Sequence, residues 1–167
     1  MRKLKILLLF HQLSLTGAPK VTLNAFEKMK DDFEIRILAL AGGPLEARCR
    51  NLGELSIVSE LFVWRDIISF GSFFDQIGRK LKKIRLRMSL SRWNPDLIYV
   101  NSVASLPIGE ILDLPCVPVL LHVHELESEL YKISRRFKKA LLEWPERYLV
   151  VSDPVRETLT GHYGISG

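Results

Sequence analysis

Cysteine is nearly absent from this sequence. Its 167 residues hold two, Cys49 and Cys116, without metal-site spacing. A disulfide scaffold is thereby excluded, and a reduced, cytoplasmic protein is the simpler expectation. No stretch approaches the ~20 apolar residues that a membrane span requires. The run Ile6–Phe10 behind Arg2, Lys3 and Lys5 imitates a signal peptide. It is short, His11 and Gln12 follow at once, and no small-x-small cleavage site follows closely, so a buried first strand is expected. The dinucleotide fingerprint G-x-G-x-x-G, the P-loop G-K-[ST] and the nucleophile elbow G-x-S-x-G are all missing. Cys116, beside Pro115 and near Pro118, reads as small core filler rather than a nucleophile. Acid is missing between Asp75 and Asp96, where Arg79, Lys80, Lys82, Lys83, Arg85, Arg87 and Arg92 crowd together.

What is present suits one globular domain over residues 1–167. Apolar residues are 47% and charged residues 26%, enough to bury a core and too apolar for a disordered chain. The net charge of +5 favours anionic partners: nucleotide phosphates, nucleic acid or an acidic membrane face. Apolar runs of strand length alternate with segments of helical period. Lys5–His11, Phe33–Leu40, Leu97–Val100, Pro118–Val123 and Arg147–Ser152 read as strands. A further strand falls at Leu55–Val58 or Leu61–Trp64. Helices are expected after Gly17-Ala18-Pro19, near Leu45–Leu52, over Val103–Leu112, over Glu127–Trp144 and from Asp153-Pro154. In the first, Leu23, Phe26 and Lys30 recur at helical spacing, with Val21, Ala25 and Met29 widening the apolar side. In the helix over Glu127–Trp144, Leu130, Ile133, Phe137 and Leu141 share a face. Residues 66–92 carry two periods. The helical stripe Phe70, Phe73, Phe74, Ile77, Leu81, Ile84 and Met88 is the longer, and Asn94-Pro95 ends it.

This alternation predicts an α/β fold: a Rossmann-like, doubly wound parallel sheet flanked by helices. Ligands of such sheets sit beyond the carboxyl ends of the strands. That rule selects His11–Pro19, Ala41–Pro44, Asn101-Ser102, His122–Glu125 and Ser152-Asp153.

Three motifs carry chemistry. Ser14 to Pro19 brings free backbone N–H groups to a helix start, which suits phosphate; a plain strand-to-helix turn is the blander reading. In His122-Val123-His124-Glu125 the two imidazoles, two apart on a strand, share a face. A metal needs a third ligand with recognisable spacing, and none is seen, so a polar substrate site is preferred and no metal is expected. One histidine hydrogen-bonded in the core would be unremarkable; two are harder to dismiss. The basic run, on a helix with an apolar stripe, fits an anionic membrane surface through Arg79, Lys80, Lys82, Lys83, Arg85 and Arg87. It equally fits a solvated face whose apolar side packs on the sheet. Nucleic acid is not expected, because aromatics are not interleaved with the bases.

In order, these segments resemble the N-terminal domain of GT-B fold glycosyltransferases, in particular glycosyltransferase family 4. The likeness covers essentially all 167 residues. Ile6–Leu13 with Thr16-Gly17-Ala18-Pro19 resembles the family's first strand and glycine loop. Gly43-Pro44-Leu45 to Leu52-Gly53 resembles its second strand-to-helix segment. Asn94 to Ser102 resembles its Pro-Asp strand, Pro118 to Glu125 the strand ending in the active-site histidine, and Leu149 to Arg156 the approach to the second lobe. The resemblance implies transfer of a sugar, with retention, from a nucleotide-diphosphate sugar to a glycan or lipid-linked acceptor, as in cell-envelope polysaccharide synthesis. It implies no metal or other cofactor. Gly17 and Ala18 would approach the donor phosphates. His124 would be the active-site histidine, with His122 the other candidate. Glu125, Asn101 and Ser102 would line the acceptor side. A cytoplasmic protein, peripheral on the inner membrane face, fits such relatives. The donor-gripping C-terminal lobe, with its basic pair and Glu-x7-Glu region, has no counterpart here, so the isolated lobe is expected to be inactive. An expressed fragment, a split subunit and a non-catalytic scaffold module docking on a partner or membrane all remain open.

Overall fold

The computed structural model describes residues 2–59, 73–112, 114, 116–125 and 127–165. Its strands are β1 (Leu4–Gln12), β2 (Phe33–Ala41), β3 (Glu54–Ile57), β4 (Leu97–Val100), β5 (Val119–Val123) and β6 (Arg147–Val150). Its helices are α1 (Gly17–Lys28), α2 (Glu46–Leu52), α3 (Phe73–Trp93), α4 (Pro107–Leu112), α5 (Glu127–Glu143) and α6 (Asp153–Tyr163). A 3-10 turn at Val103–Ser105 precedes α4. All strand pairs are parallel, in the order β3-β2-β1-β4-β5-β6. This is the Rossmann-like, doubly wound sheet expected from the sequence. The order reverses between β1 and β4, so the ligand crevice of such a sheet lies beyond their carboxyl ends.

β1 is apolar throughout its middle because both of its faces are covered. Ile6, Leu8 and Phe10 join Leu23 and Phe26 of α1 and Leu45 and Cys49 around α2. Leu7 and Leu9 join the opposite cluster, with Leu90 and Trp93 of α3, Ile108 of α4, Leu130 and Leu141 of α5 and Leu159 of α6. Burial pushes the Cys49 thiol up to about 11, so it stays protonated and serves as packing.

Several expectations are corrected. α1 turns Pro19, Thr22, Leu23 and Phe26 inward. Val21 and Met29 are exposed, Ala25 is exposed, and Lys30 lies beyond the helix. The third strand occupies Glu54–Ile57; the alternative at Leu61–Trp64 falls outside the described residues. Val103–Leu112 is split, because Pro107 starts a new helix after the 3-10 turn. Phe137 packs on the core as expected but sits at a kink in α5, with φ −121° and ψ 26°. Cys116 is not core filler: it is exposed, in a turn, with φ 65°.

The largest correction concerns α3. Of its expected stripe, Phe70 and the side chains of Phe73, Phe74 and Ile77 lie outside the described residues. Leu81, Ile84 and Met88 are about half exposed, at 49%, 50% and 48%. Leu90 and Trp93 are buried instead, and Leu86 packs beside them. At 100° per residue the two triplets lie on opposite faces of the helix. The helix is docked by its last turns, where Asn94 takes the left-handed conformation (φ 54°) and its N–H caps Leu90 O at 2.8 Å.

Candidate functional site

Parallel packing brings the loops after β1, β4 and β5 to neighbouring positions on one edge of the sheet. After β1, Ser14 and Thr16 bond through their hydroxyls at 2.8 Å, and Thr16 precedes α1 without capping it by its side chain. The N–H groups of Gly17 and Ala18 therefore start the helix without a side-chain cap. A Cβ at Gly17 would meet nothing within 4 Å. Such a helix start carries a partial positive charge and suits phosphate.

The loop after β2 buttresses this one. Leu13 N–H donates to Ala41 O at 3.2 Å, and Leu45 N–H donates to Leu13 O at 3.1 Å. Gly43 packs so tightly on the Leu13 carbonyl that a Cβ there would collide with backbone. Glycine is required here for close approach rather than for an unusual backbone angle.

At the end of β4, Asn101 is 2% exposed, and its N–H donates to Leu9 O at 2.9 Å. Its side-chain carbonyl accepts from the Thr22 hydroxyl at 2.5 Å. Ser102 is buried at the start of the 3-10 turn, 3.3 Å from the Ser105 hydroxyl. At the end of β5, His122 is buried, with Nδ1 2.5 Å from the Tyr99 hydroxyl. Burial raises the Tyr99 pKa and the nearby Thr22 hydroxyl holds the rise back, so Thr22 and Tyr99 stand side by side between Asn101 and His122. The His122 and His124 rings are 3.8 Å apart between centroids.

Burial, and then the neighbouring His124, lower the His122 pKa to about 4. Burial also lowers those of His124 and of half-buried His11. Both members of the pair are therefore neutral at pH 7. Nε2 of His124 is buried and has no hydrogen-bond partner among the described residues. A buried unpaired ring nitrogen is costly, so a ligand hydroxyl there would be well received.

Glu125 is spent differently from its neighbours. Its carboxylate accepts the backbone N–H of His124 at 3.0 Å and lies near the backbone N–H groups of Val103 and Ala104 in the 3-10 turn. Burial raises its pKa, and the surrounding backbone N–H groups hold the rise back. Asp153, after β6, pairs with Arg156 at 2.6 Å on the exposed start of α6. Among the described residues no three His, Cys, Asp or Glu side chains gather as a metal site would require.

Residues 15–167 match the family model for glycosyltransferase family 4. The chain belongs to that family. A solved structure, the calicheamicin glycosyltransferase CalG4, aligns with this family 4 domain at 17% identity and a TM-score of 0.41. That alignment covers 99% of this chain and 42% of the other, so the domain spans less than half the length of that protein. Nothing among the curated proteins matches it.

The sequence had singled out Gly17, Ala18, Asn101, Ser102, His122, His124 and Glu125, and all lie at the adjoining ends of β1, β4 and β5. It had missed Thr22 and Tyr99. One signal was available: Thr22 is a lone hydroxyl among the inward residues of α1. Among the described residues no helix is long and apolar enough to cross a membrane.

Proposed function

We propose that this family 4 domain is the acceptor-side, N-terminal lobe of a retaining glycosyltransferase of GT-B architecture. The donor is a nucleotide-diphosphate sugar, and the acceptor is a glycan or lipid-linked sugar of the cell envelope. The observation that carries the reading is the His122–His124 pair, neutral and with one ring nitrogen unpaired, beside a helix start with no side-chain cap in a glycosyltransferase family 4 chain. Gly17 and Ala18 N–H groups would hold donor phosphate oxygens. The neutral His124 would hydrogen-bond a sugar hydroxyl without adding charge to the site. Asn101 and Ser102 would line the acceptor side. In the transfer, the bond from the anomeric carbon to the diphosphate oxygen breaks. A bond to the acceptor oxygen forms on the same face, and the acceptor proton leaves on the released nucleotide diphosphate. Holding both substrates in register is the main contribution of a two-lobed site, so this chain alone is expected to be inactive.

The test joins this chain to a donor-binding lobe and measures nucleotide-diphosphate release across a panel of sugar donors. Turnover is expected with at least one donor, and His124→Ala should lower it by at least about tenfold. A joined polypeptide that neither turns over nor binds any donor would remove the enzyme reading.

We also propose that α3 docks on an anionic membrane surface. The exposure of Leu81, Ile84 and Met88 on a helix rich in cations favours this over a helix merely packed on the sheet. Of the expected cations, Lys80, Lys82 and Arg85 are exposed, while Arg79, Lys83 and Arg87 are half-buried. An interfacial helix inserts its apolar ridge and sets its cations against lipid phosphates. Binding to phosphatidylglycerol vesicles should fall at least about tenfold when Leu81, Ile84 and Met88 become serine, and should weaken with salt. Binding indifferent to both would exclude the docking.

A further inference from the structure

A second charged feature lies at the opposite edge of the sheet, near the amino-terminal ends of β1 and β2. Here the last turns of α3 and these two strands line an open cleft of about 490 Å³. Four of its lining residues are cations: Lys5, Arg36, Arg85 and Arg92. Ser89 and Trp93 line it too, and no acid does. Arg85, Ser89 and Arg92 recur at i, i+4 and i+7, so one strip of α3 presents them together.

Of the acids nearby, one neutralises the floor cation Arg36, and the others are engaged away from Arg85 and Arg92. Glu54 pairs with Nε of Arg36 at 2.9 Å, Glu34 accepts the Trp93 indole N–H, and Asp96 takes Arg2 and the backbone N–H of Lys5. Arg36 is held in place: its guanidinium lies 4.8 Å from the centre of a Trp93 ring, and Nη1 donates to the Ser89 hydroxyl at 3.3 Å. Lys5 donates from Nζ to Trp93 O at 2.9 Å, which leaves two of its three protons for another acceptor. Arg85 and Arg92 have no hydrogen-bond or ion-pair partner among the described residues. With Arg36 paired to Glu54, the uncompensated positive charge of the cleft lies on Arg85, Arg92 and Lys5, and an anion joining them would relieve their repulsion.

We propose that this cleft binds a phosphate-bearing ligand, anchored by Arg85 and Arg92 over a floor of Arg36, Lys5 and Trp93. Guanidinium groups take phosphate oxygens through paired N–H donors, and two of them suit a diphosphate or a phosphomonoester. The ligand is either a soluble phosphate compound or a lipid headgroup. Met88 also lines the cleft and begins the exposed apolar ridge, so both sources are chemically reasonable. The proposal requires neither sugar transfer nor membrane docking.

Inorganic pyrophosphate titrated into the 167-residue protein at low salt should change its tryptophan fluorescence saturably, and Trp93→Phe should remove most of that change. The double variant Arg85→Gln with Arg92→Gln should bind at least about tenfold more weakly, because two charge-assisted anchors are gone. Both arginines lie on an exposed strip, and a thermal melt verifies the fold; Arg85→Glu, a single reversal, serves as the second variant. Phosphatidate vesicles then separate the sources. If they bind through the two arginines and pyrophosphate displaces them, the ligand is a headgroup. If pyrophosphate binds and the vesicles do not compete, the ligand is soluble. No pyrophosphate or phosphatidate binding by the native protein overturns the site, as does binding retained in full by the double variant. The double variant also separates this cleft from the donor loop at α1, because neither Gly17 nor Ala18 lines the cleft and pyrophosphate held by that loop would survive the loss of both arginines.

Discussion

Lowering the pH from 7 to 5 is expected to cost this protein about 2 kcal/mol of stability through His122 alone. The imidazole titrates near 6.5 when unfolded and near 4 when folded, because burial and the adjacent His124 oppose its charge. Between those values the unfolded chain binds the proton and the native chain does not. Stability therefore falls as the pH drops from 6.5 toward 4, and the loss levels off at about 3 kcal/mol below that. His124 and His11, also lowered by burial, act in the same direction. Glu125 acts in the opposite direction: its raised pKa means the native state holds its proton longer, so its contribution weakens stability as the pH rises through the carboxylate range. Urea unfolding at pH 7, 6 and 5 reads the slope. His122→Gln should flatten it while leaving the unfolded baseline unchanged. A slope that persists in the variant would assign the acid sensitivity elsewhere.

Much of this arrangement was legible in the sequence, because continuous apolar strands punctuated by helical periods admit few solutions. The five clear strands lie where their runs lie, and the strand-end rule brought the same seven residues to one edge. The failure at α3 has a physical cause. Leu81, Ile84 and Met88 form an apolar stripe as regular as Leu86, Leu90 and Trp93 on the far side, and periodicity does not say which one meets the sheet. Trp93 decides it, through its indole bond to Glu34 and the Arg36 guanidinium against its ring, and both partners lie over fifty residues away in sequence. The Tyr99–His122 bond was hidden for a similar reason. β4 and β5 pair Tyr99 with Leu120, so His122 is the diagonal neighbour of Tyr99 across the strands. That relation exists only once the register is known. The setting of Glu125 likewise depends on where the chain goes after β4, because the backbone N–H groups of Val103 and Ala104 help hold down its pKa.

Phe10→Ala should destabilise the protein by about 3–5 kcal/mol, a large share of the 5–15 kcal/mol typical of a domain. Phe10 is fully buried near the end of the central strand, opposite the small Ala39 of β2. Leu13, Leu23 and Leu45 share its cluster, so one ring sits beneath the loop after β1, the inner face of α1 and the approach to α2. Removing it leaves a cavity among backbone elements already fixed by hydrogen bonds, and Gly43 against the Leu13 carbonyl leaves little slack for collapse. Phe10→Leu, which keeps most of the volume, should cost less than about 1.5 kcal/mol. Urea midpoints of the two variants, at an unchanged dependence on denaturant, give the comparison. A Phe10→Ala cost below about 1 kcal/mol would mean that the cluster relaxes freely around the gap. The same cavity lies under the loop that presents Gly17 and Ala18. At temperatures where the variant stays folded, any phosphate held by that loop should therefore bind more weakly, whereas the arginine cleft at the other edge of the sheet should bind pyrophosphate as before.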